Sequence, residues 1–507
     1  MVKKISLPNL AFSRRLKSVR FFMDNPFLVQ NNIFHYLIKK GRYSEWGKKY
    51  NYQQIKTVAD FQELVPISRY EDIQPDIERL LRGENNILWP EKIKYFSKSS
   101  GTTGSKSKYI PISSESLNGN HYLGGRSLFS TYFFQNPDSN VLLGQNFGLG
   151  GSRQKDEIGQ DKYIADVSVI IMKNLPWWAR LRRSPRFSVA SMSEWEDKLN
   201  KIAEIIAHQN IVSISGVPSW NLILARKILE ITGKNNLLEV WPNLELFVHG
   251  GINFAPYRRQ FEELIPSDKM NYLEVYNASE GFFAFQDDLK RSDLLLFLNG
   301  GIFYEFIPLP ELAQEKPRAL TLGEVELDRN YALVISTNAG LWRYLIGDTI
   351  KFTSLNPFRI VVSGRTKSFI NACGEELMVD NADLALSRAC LSSGATLKDY
   401  TVAPVYMDGQ NKAHHQWLLE FSQAPLDLGL FSATLDLELK KLNSDYEAKR
   451  YKDLNLDPPE IILARPGLFY DWLKLKGRLG GQSKVPRLVN GRDLMDELLT
   501  LNYQNPS

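Results

Sequence analysis

The most informative segment of the chain is Ser99-Ser100-Gly101-Thr102-Thr103-Gly104-Ser105-Lys106-Ser107-Lys108. It separates two short apolar runs, Ile93 to Phe96 and Tyr109 to Ile112, which predicts a strand, a glycine-rich hydroxylic loop and a second strand. Backbone amides, hydroxyls and a lysine directed at one point can bind a phosphate. The spacing is not that of a Walker loop, which needs Gly-x4-Gly-Lys-Ser/Thr. The segment therefore predicts a phosphate-binding loop, with a flexible surface turn as the alternative.

The composition is that of a folded protein with more than one domain. Its 507 residues exceed the roughly 250–300 residues at which a single hydrophobic core stops growing. The hydrophobic fraction of 43% is ample for packed cores. The 62 basic and 57 acidic residues leave a net charge of +5, and this mild excess argues against a nucleic-acid-binding protein.

The number of cysteines and the length of the apolar runs indicate the cellular compartment of the protein. Cys373 and Cys390 have no metal-binding spacing, and two cysteines imply neither a disulfide framework nor a zinc site. No continuous apolar run follows Lys3 and Lys4, and the longest run, Leu294 to Phe306, is interrupted and too short to span a bilayer. We therefore expect a reduced, cytoplasmic protein without a signal peptide or a membrane span.

Short β-rich runs alternate with helical patterns from the glycine-rich loop to about Pro308. Val212 to Ile214 and Leu244 to Val248 are typical of buried strands, and Trp220 to Thr232 is typical of a helix between them. This alternation predicts an α/β domain whose ligands bind beyond the carboxyl ends of its strands. After Pro308 the pattern becomes more β-rich, with Gly323 to Leu327 among the predicted strands.

A change of composition after Gly364-Arg365 predicts a domain boundary near residue 367. We expect one domain over residues 1–366 and a second over residues 367–507. Within the second, His415 to Phe421 predicts a strand, and the apolar spacing from about Ser432 to Arg450 predicts one helix.

Three further motifs carry candidate functional side chains. Tyr276-Asn277-Ala278-Ser279-Glu280-Gly281 follows a predicted strand, and its glutamate suits Mg²⁺ that bridges phosphates, or is simply solvated. Leu341-Trp342-Arg343-Tyr344-Leu345-Ile346-Gly347-Asp348 precedes a predicted strand, and its aspartate either accepts hydrogen bonds from a ribose diol or belongs to a hairpin turn. Gly480-Gly481-Gln482-Ser483-Lys484-Val485-Pro486-Arg487 places a lysine in a loop, where lysines are ordinarily just solvated.

In their order and spacing, these motifs together resemble the adenylate-forming superfamily and, within it, the auxin-responsive-promoter family of acyl acid–amido synthetases. The resemblance covers nearly the whole chain. It is strongest in the hydroxylic loop, the Tyr-x-x-Ser-Glu element, the Arg-Tyr-x-x-Gly-Asp element and the terminal Gln-x-Lys-x-Pro-Arg element. It implies an α/β fold with a large N-terminal adenylate-forming domain of mixed sheets and a small, mobile α+β C-terminal domain. The short loops are bacterial in style, so we expect a bacterial member.

The resemblance also implies roles for individual positions. Glu280 would be a catalytic carboxylate on the magnesium side, Lys484 the catalytic lysine of the C-terminal domain, and Lys367 the hinge residue. Whether Lys106 or Lys108 faces the phosphates stays open. The positions that the resemblance assigns to ATP binding are Ser99, Ser100, Gly101, Thr102, Thr103, Gly250, Gly251, Tyr276, Ser279, Asp348 and Arg365.

The activity that the resemblance implies is an ATP-dependent ligation. With ATP and Mg²⁺, a small carboxylic acid would form an acyl-adenylate and pyrophosphate, and an amino acid amine would then displace AMP to give an amide. The alternatives are an acyl–coenzyme A ligase, which shares the first half-reaction, and a nucleotide-binding scaffold without turnover. We expect neither a nucleic acid nor a membrane as partner, and we expect a monomer.

The remaining constellations have a structural and a functional interpretation. His414-His415 lacks the aspartate that the condensation signature of peptide synthetases requires, so we interpret it as part of a strand. Trp177-Trp178, with arginines at 180, 182, 183 and 186, forms a basic aromatic patch that covers an acidic substrate or is a solvated helix end. His249 and His121 are interpreted as structural, with positions beside the nucleotide and in an acyl pocket as the alternatives.

Overall fold

The computed structural model describes residues 7–99, 108–151, 162–192, 195–251, 254–255, 257–366, 369–370, 375, 377–406, 413–450, 456–479, 484–489 and 491–504. A π-helical turn, Leu117–His121, and a 3-10 turn, Leu309–Glu311, accompany the regular elements. The helices are α1 (Leu7–Asp24), α2 (Pro26–Gly41), α3 (Glu45–Lys49), α4 (Val58–Leu64), α5 (Tyr70–Leu81), α6 (Ser114–Ser116), α7 (Tyr122–Gln135), α8 (Val167–Lys173), α9 (Trp177–Leu181), α10 (Phe187–Ala190), α11 (Trp195–Ile206), α12 (Pro218–Thr232), α13 (Leu237–Val240), α14 (Arg258–Leu264), α15 (Val379–Ser393), α16 (Leu428–Leu442), α17 (Ser444–Lys449), α18 (Leu468–Leu475) and α19 (Asp493–Gln504).

The strands form one large sheet and three small ones within the described ranges. They are β1 (Tyr95–Ser99), β2 (Lys108–Ile112), β3 (Gln145–Gly148), β4 (Tyr163–Ala165), β5 (Arg183–Ser184), β6 (Ile211–Gly216), β7 (Leu246–Gly250), β8 (Asn271–Asn277), β9 (Phe282–Phe285), β10 (Leu294–Leu296), β11 (Ile302–Pro308), β12 (Asn330–Thr337), β13 (Tyr344–Leu355), β14 (Phe358–Arg365), β15 (Phe369–Ile370), β16 (Leu377–Met378), β17 (Thr396–Val405), β18 (His414–Gln423) and β19 (Glu460–Leu463).

The large sheet has the strand order β11-β12-β13-β14-β10-β9-β8-β7-β6-β3-β5. Its run from β8 to β5 is parallel, and its other pairings are antiparallel. The carboxyl ends of parallel strands lie at one edge, where ligands of α/β folds bind. This edge carries the chain segments that follow Gly148, Gly216 and Gly250.

The two strands predicted on either side of the hydroxylic segment are present. Strands β1 and β2 pair antiparallel, with Ser99 opposite Lys108, and β4 pairs with β1 on its other side. The loop itself, residues 100–107, lies outside the described residues.

Two predicted elements are wrong in detail. Gly323 to Leu327 is not a strand, because the Glu324 carboxylate accepts hydrogen bonds from the Thr321 amide and hydroxyl, both at 2.8 Å, and closes a turn. The helix predicted from Ser432 to Arg450 is divided into α16 and α17. Asn443 interrupts it with an extended backbone (φ −141°, ψ 109°), and its side chain accepts a hydrogen bond of 2.8 Å from the Tyr446 amide.

The position of Asp348 also differs from the prediction. Asp348 lies inside the twelve-residue strand β13 and not ahead of a strand. The chain reverses earlier, at Gly340 (φ 89°) and Arg343 (φ 42°), so that β13 already begins at Tyr344. As a consequence, Asp348 is held by the ladder of the sheet and faces Arg365 on the neighbouring strand β14.

Apolar side chains from the middle of the chain and from its C-terminal part share one core. Trp220 and Phe261 belong to the same cluster of buried residues as Phe469, Trp472 and Val485. The C-terminal part has a second core of its own, built where α15 and α16 cover its small sheet β17-β18-β19. The shared cluster therefore holds the C-terminal part against the large sheet.

Polar contacts surround this shared core. The Arg487 guanidinium donates to the Tyr257 hydroxyl at 2.6 Å and forms an ion pair with Asp399 at 2.5 Å. Gln260 donates to the Leu397 carbonyl at 2.8 Å. These contacts fix the segment around residues 484–487 above the carboxyl edge of the sheet.

Among the described helices, none is long and apolar enough to cross a membrane.

A partly buried carboxyl group on β8 lies within electrostatic range of the C-terminal part. Burial, and secondly the carboxylate of Asp383 on α15, raises the pKa of Glu274 on β8 from 4.5 to about 7. The folded protein therefore binds a proton that the unfolded chain releases between these two pH values, and stability is lost as the pH rises through this window.

We expect Glu274→Gln to stabilise the protein above pH 7, because the amide carries no charge to bury. The gain in the free energy of unfolding should be about 1–3 kcal/mol at pH 8 and should vanish near pH 4.5. Denaturant unfolding at several pH values measures it, with Glu204→Gln, an exposed position on α11, as the control. A gain that did not depend on pH would contradict the assignment of the effect to Glu274 ionisation.

Candidate functional site

The paired glycines after β7 allow a very close approach of neighbouring groups. A Cβ atom at Gly250 would lie 2.4 Å from the Val275 carbonyl oxygen, and one at Gly251 would lie 2.9 Å from the Lys484 amine. Gly251 also has a φ of +84°, which side chains disfavour. Gly250 therefore has no room for a side chain, and the backbone conformation of Gly251 favours glycine.

Asp348 is the centre of a hydrogen-bonded group drawn from three strands. The Tyr276 hydroxyl on β8 donates to its Oδ2 atom at 2.7 Å, and the Arg365 Nε atom on β14 lies 3.2 Å from its Oδ1 atom. The Asp348 carboxylate raises the pKa of Arg365. Burial, followed by the same carboxylate, raises the pKa of Tyr276, which stays a neutral donor. The two carboxylate oxygens of Asp348 are thus held in place to accept hydrogen bonds from a ligand.

Glu280 and Ser279 lie between this group and the start of the hydroxylic loop. The Ser97 hydroxyl on β1 donates to the Ser279 hydroxyl at 2.8 Å. Burial, and secondly the Asp348 carboxylate, raises the pKa of Glu280 to about 7, while the positive charge of Lys108 opposes this rise. The second motif thus meets the strand that leads into residues 100–107, and Lys108 lies within electrostatic range of its carboxylate.

Lys484 completes the site from the C-terminal part. Its amine donates a hydrogen bond to the Gly251 carbonyl. Desolvation, and secondly the positive charge of Arg365, lowers the pKa of Lys484 to about 8, against the attraction of Asp348. A lysine, an arginine and a carboxylate therefore meet above the paired glycines.

The structure brings most of the predicted site residues together. Gly250, Gly251, Tyr276, Ser279, Glu280, Asp348, Arg365 and Lys484 surround one region at the carboxyl edge of the sheet. Ser99 ends β1 beside this region. Ser100, Gly101, Thr102, Thr103, Lys106 and Lys367 lie outside the described residues.

Two histidines near the site, His249 and His121, are buried and uncharged. The His249 ring stacks on Phe254 at 4.1 Å, and burial lowers its pKa to about 3. His121 contacts Asn277 at 3.1 Å, and burial lowers its pKa to about 4. His415 lies in β18 and contacts Glu375 at 2.7 Å within the C-terminal part. All three fit the structural interpretation of the sequence.

Two contributors to the site were missed in the sequence. Ser97 precedes the hydroxylic motif and resembles an ordinary strand residue, although its position two residues before Ser99 was a signal. Tyr257 contacts Arg487 across the shared core, and no local pattern marks a pair separated by more than two hundred positions.

The carboxylates of the site can be compared with the ligands that Mg²⁺ usually takes in proteins. No group of three or more His, Cys, Asp or Glu side chains suited to a metal occurs among the described residues. Mg²⁺ usually takes one or two protein carboxylates together with substrate phosphates and water. Glu280, with Asp348 near it, fits that kind of site and not an all-protein cage.

The chain was compared with protein families and with individual proteins. Residues 15–270 match the GH3 family N-terminal domain, residues 295–365 the GH3 family central domain, and residues 380–493 the GH3 family C-terminal domain. The indole-3-acetic acid-amido synthetase GH3.3 of Arabidopsis thaliana is 23% identical over 96% of this chain and 94% of its own length. The 4-substituted benzoates-glutamate ligase GH3.12 of Arabidopsis thaliana is 24% identical over 97% of each chain.

A solved structure has the same fold. The GH3.15 acyl acid amido synthetase in complex with 2,4-DB superposes with a TM-score of 0.79 at 16% identity, over 99% of this chain and 98% of that one. Both chains share the large N-terminal and the smaller C-terminal domain, which confirms the predicted fold class. Since the three domain matches together span most of the sequence, this chain belongs to the GH3 family.

Proposed function

We propose that the protein is an ATP-dependent acyl acid–amido synthetase. The observation that carries the proposal is the Lys484 amine, which reaches from the C-terminal domain to the Gly251 carbonyl beside Asp348 and Arg365. A carboxylate oxygen of the acyl acid attacks the α-phosphorus of ATP, and the bond to the departing pyrophosphate breaks. An amine nitrogen then attacks the acyl carbonyl carbon, AMP leaves with the bonding electrons, and the amine loses a proton.

The individual residues supply positioning and charge. Lys484 stabilises the negative charge that develops on the α-phosphate. Asp348, oriented by Tyr276 and Arg365, accepts hydrogen bonds from the ribose diol. The segment 99–103 holds the phosphates, and Gly250 and Gly251 lie against the adenine ring.

Glu280 is the residue that would hold Mg²⁺. When bound, the ion would offset negative charge on the ATP phosphates. The other roles in the site belong to side chains and backbone groups of the protein.

The substrates are proposed by class. The names of the relatives specify indole-3-acetic acid and 4-substituted benzoates as acyl acids, and glutamate as one acceptor. For this chain we propose a small carboxylic acid, an amino acid acceptor and ATP. We also propose a monomeric, cytoplasmic protein, with a domain boundary near residue 367.

The two half-reactions make different demands on the C-terminal domain. The Lys484 amine contacts the Gly251 carbonyl, and we propose that this arrangement serves adenylation. We propose that rotation about Lys367 withdraws Lys484 afterwards and opens the acyl carbonyl to the amine. Coenzyme A is the alternative acceptor, and a scaffold without turnover is the other alternative. The three charged groups Glu280, Asp348 and Lys484, gathered in one place, favour catalysis over the scaffold.

The first test is acid-dependent exchange between ATP and labelled pyrophosphate, with pools of aryl, indole and aliphatic acids. We expect exchange with at least one pool, and Lys484→Ala should lower its rate by about 10²–10³ because one transition-state charge contact is lost. Lys476→Ala, at an exposed lysine of the same domain, is the matched control. An equal rate in Lys484→Ala would make this lysine a bystander, and failure of ATP to bind would remove the proposed function.

A second prediction concerns the ribose. Hydrogen bonds to a charged group contribute about 1.5–3 kcal/mol, so wild type should prefer ATP to 2′-deoxy-ATP by roughly 10–100-fold in kcat/KM. In Asp348→Ala this preference should disappear, and in Tyr276→Phe it should shrink, because the carboxylate loses its hydroxyl donor. An unchanged preference in Asp348→Ala would assign the ribose to another residue.

A third prediction concerns the hinge. Lys367→Pro should impair one half-reaction more than the other, because it restricts the backbone on which the rotation depends. Pyrophosphate exchange reports the first half-reaction, and amide formation from preformed acyl-adenylate reports the second. Lys367→Ala controls for loss of the side chain alone. Equal loss in both assays would argue against a hinge at this position.

A further inference from the structure

Three neighbouring parallel strands end in glycine at the carboxyl edge of the sheet. They are β3 at Gly148, β6 at Gly216 and β7 at Gly250, with Gly148 opposite Ser215 and Gly216 opposite His249. Parallel strands lie about 4.8 Å apart, so Gly148 is about 10 Å from Gly250 along this edge. The ends of these strands carry no side chains, and the edge runs from Gly250 to Gly148, away from Lys484.

Arg183 lies at the end of this edge that is far from Lys484. It begins β5, and its Nη2 atom donates to the Gly148 carbonyl at 2.9 Å. A Cβ atom at Gly148 would lie 3.3 Å from both Nη1 and Nη2, so the glycine makes room for the guanidinium. The buried Nε atom has no hydrogen-bond partner in the part of the chain that the structure describes.

Lys198 adds a second positive charge beside Arg183. Its side chain is fully buried, and its amine donates to the carbonyls of Gly150 at 2.9 Å and Gly151 at 2.5 Å. The negative charge of Asp166 attracts Lys198, whereas the positive charge of Arg183 repels it. These three side chains, Arg183, Lys198 and Asp166, are called the basic cluster, and together they carry one net positive charge.

Burial lowers the pKa of Arg183 to about 10. Partial removal of a guanidinium from water is unfavourable unless an anion compensates it. Among the described residues no carboxylate forms an ion pair with Arg183, and desolvation is the cause of the shift in its pKa. The planar fork of an arginine matches the two oxygens of a carboxylate.

We propose that Arg183, supported by Lys198, binds a substrate carboxylate at the far end of the glycine-lined edge. The proposal rests on the proposed function, since it gives the acyl or the acceptor substrate a second anchoring point beyond the paired glycines. One source of that carboxylate is the acceptor amino acid, and the other is a second carboxylate on the acyl acid. Arg183 belongs to the basic aromatic patch of the sequence, and for this one arginine the position favours a contact to an acidic substrate.

Kinetic preferences separate the two sources. Wild type is compared with Arg183→Met, Arg183→Lys and the control Arg186→Met, whose arginine is exposed on the same segment. One ratio is kcat/KM for glutamate against the amine that lacks its α-carboxylate. The other is kcat/KM for a dicarboxylic acid against its half-amide in pyrophosphate exchange.

We expect one of these ratios to exceed about 10 in wild type, as a charge-assisted pair of hydrogen bonds allows. It should fall to near 1 in Arg183→Met, recover partly in Arg183→Lys and stay high in Arg186→Met. A fall of the first ratio assigns the acceptor carboxylate, and a fall of the second assigns the acyl acid. Thermal unfolding of each variant shows that the ratios compare folded proteins.

A binding measurement tests the site independently of turnover. Nuclear magnetic resonance of isotope-labelled arginine side chains should show that glutarate shifts the Nε–H signal of Arg183, identified by its loss in Arg183→Met. Glutaramide, which has no charge, should not shift it. If glutarate leaves this signal unchanged and both kinetic ratios are equal in wild type and Arg183→Met, the inference is overturned. Absence of exchange with any acid would instead remove the proposed function, and the glutarate shift would still decide the anion site.

Discussion

The contact between the Lys484 amine and the Gly251 carbonyl is the constraint on which the arrangement of the site depends. Position 251 favours glycine, because its φ of +84° is one that side chains disfavour and a Cβ there would displace the Lys484 amine, which lies 2.9 Å away. The contact joins the C-terminal part to the end of β7, where Val485 and Trp472 also share a core with Trp220. The hydrogen bond and the core together hold the C-terminal part at this strand end.

The site concentrates ionisable groups at a cost to stability. The pKa of Glu280 is raised to about 7 and that of Lys484 is lowered to about 8. Burial is the leading cause in each case, so the protein holds these groups partly desolvated in its resting state. Bound nucleotide brings phosphates that attract the lysine and, with a metal ion, the carboxylate. Electrostatics that are unfavourable in the free protein are thus suited to the ligand that the family binds.

The sequence predicted the strands, the loops and the order of the motifs well, because each depends on neighbours in the chain. The prediction from the sequence was wrong where a single side chain changes the course of the backbone. Glu324 closes a turn in a stretch with strand-like composition, and Asn443 ends one helix and caps the next. It predicted the site residues as separate motifs, but the contact of Tyr276 with Asp348 joins strands that are separated by most of the central region. Ser97, Tyr257 and the burial of Arg183 depend on tertiary packing, for which local spacing gives no signal.

The docked state also limits how the C-terminal domain can leave. Phe469 and Trp472 are 2% exposed and share a core with Trp220 and Phe261, and Arg487 contacts Tyr257 beside it. Apolar burial is worth about 25 cal/mol per Å², so loss of the contacts across this core would be unfavourable. The rotation proposed above is therefore expected to exchange this interface for another, and not to leave its apolar side chains exposed to water.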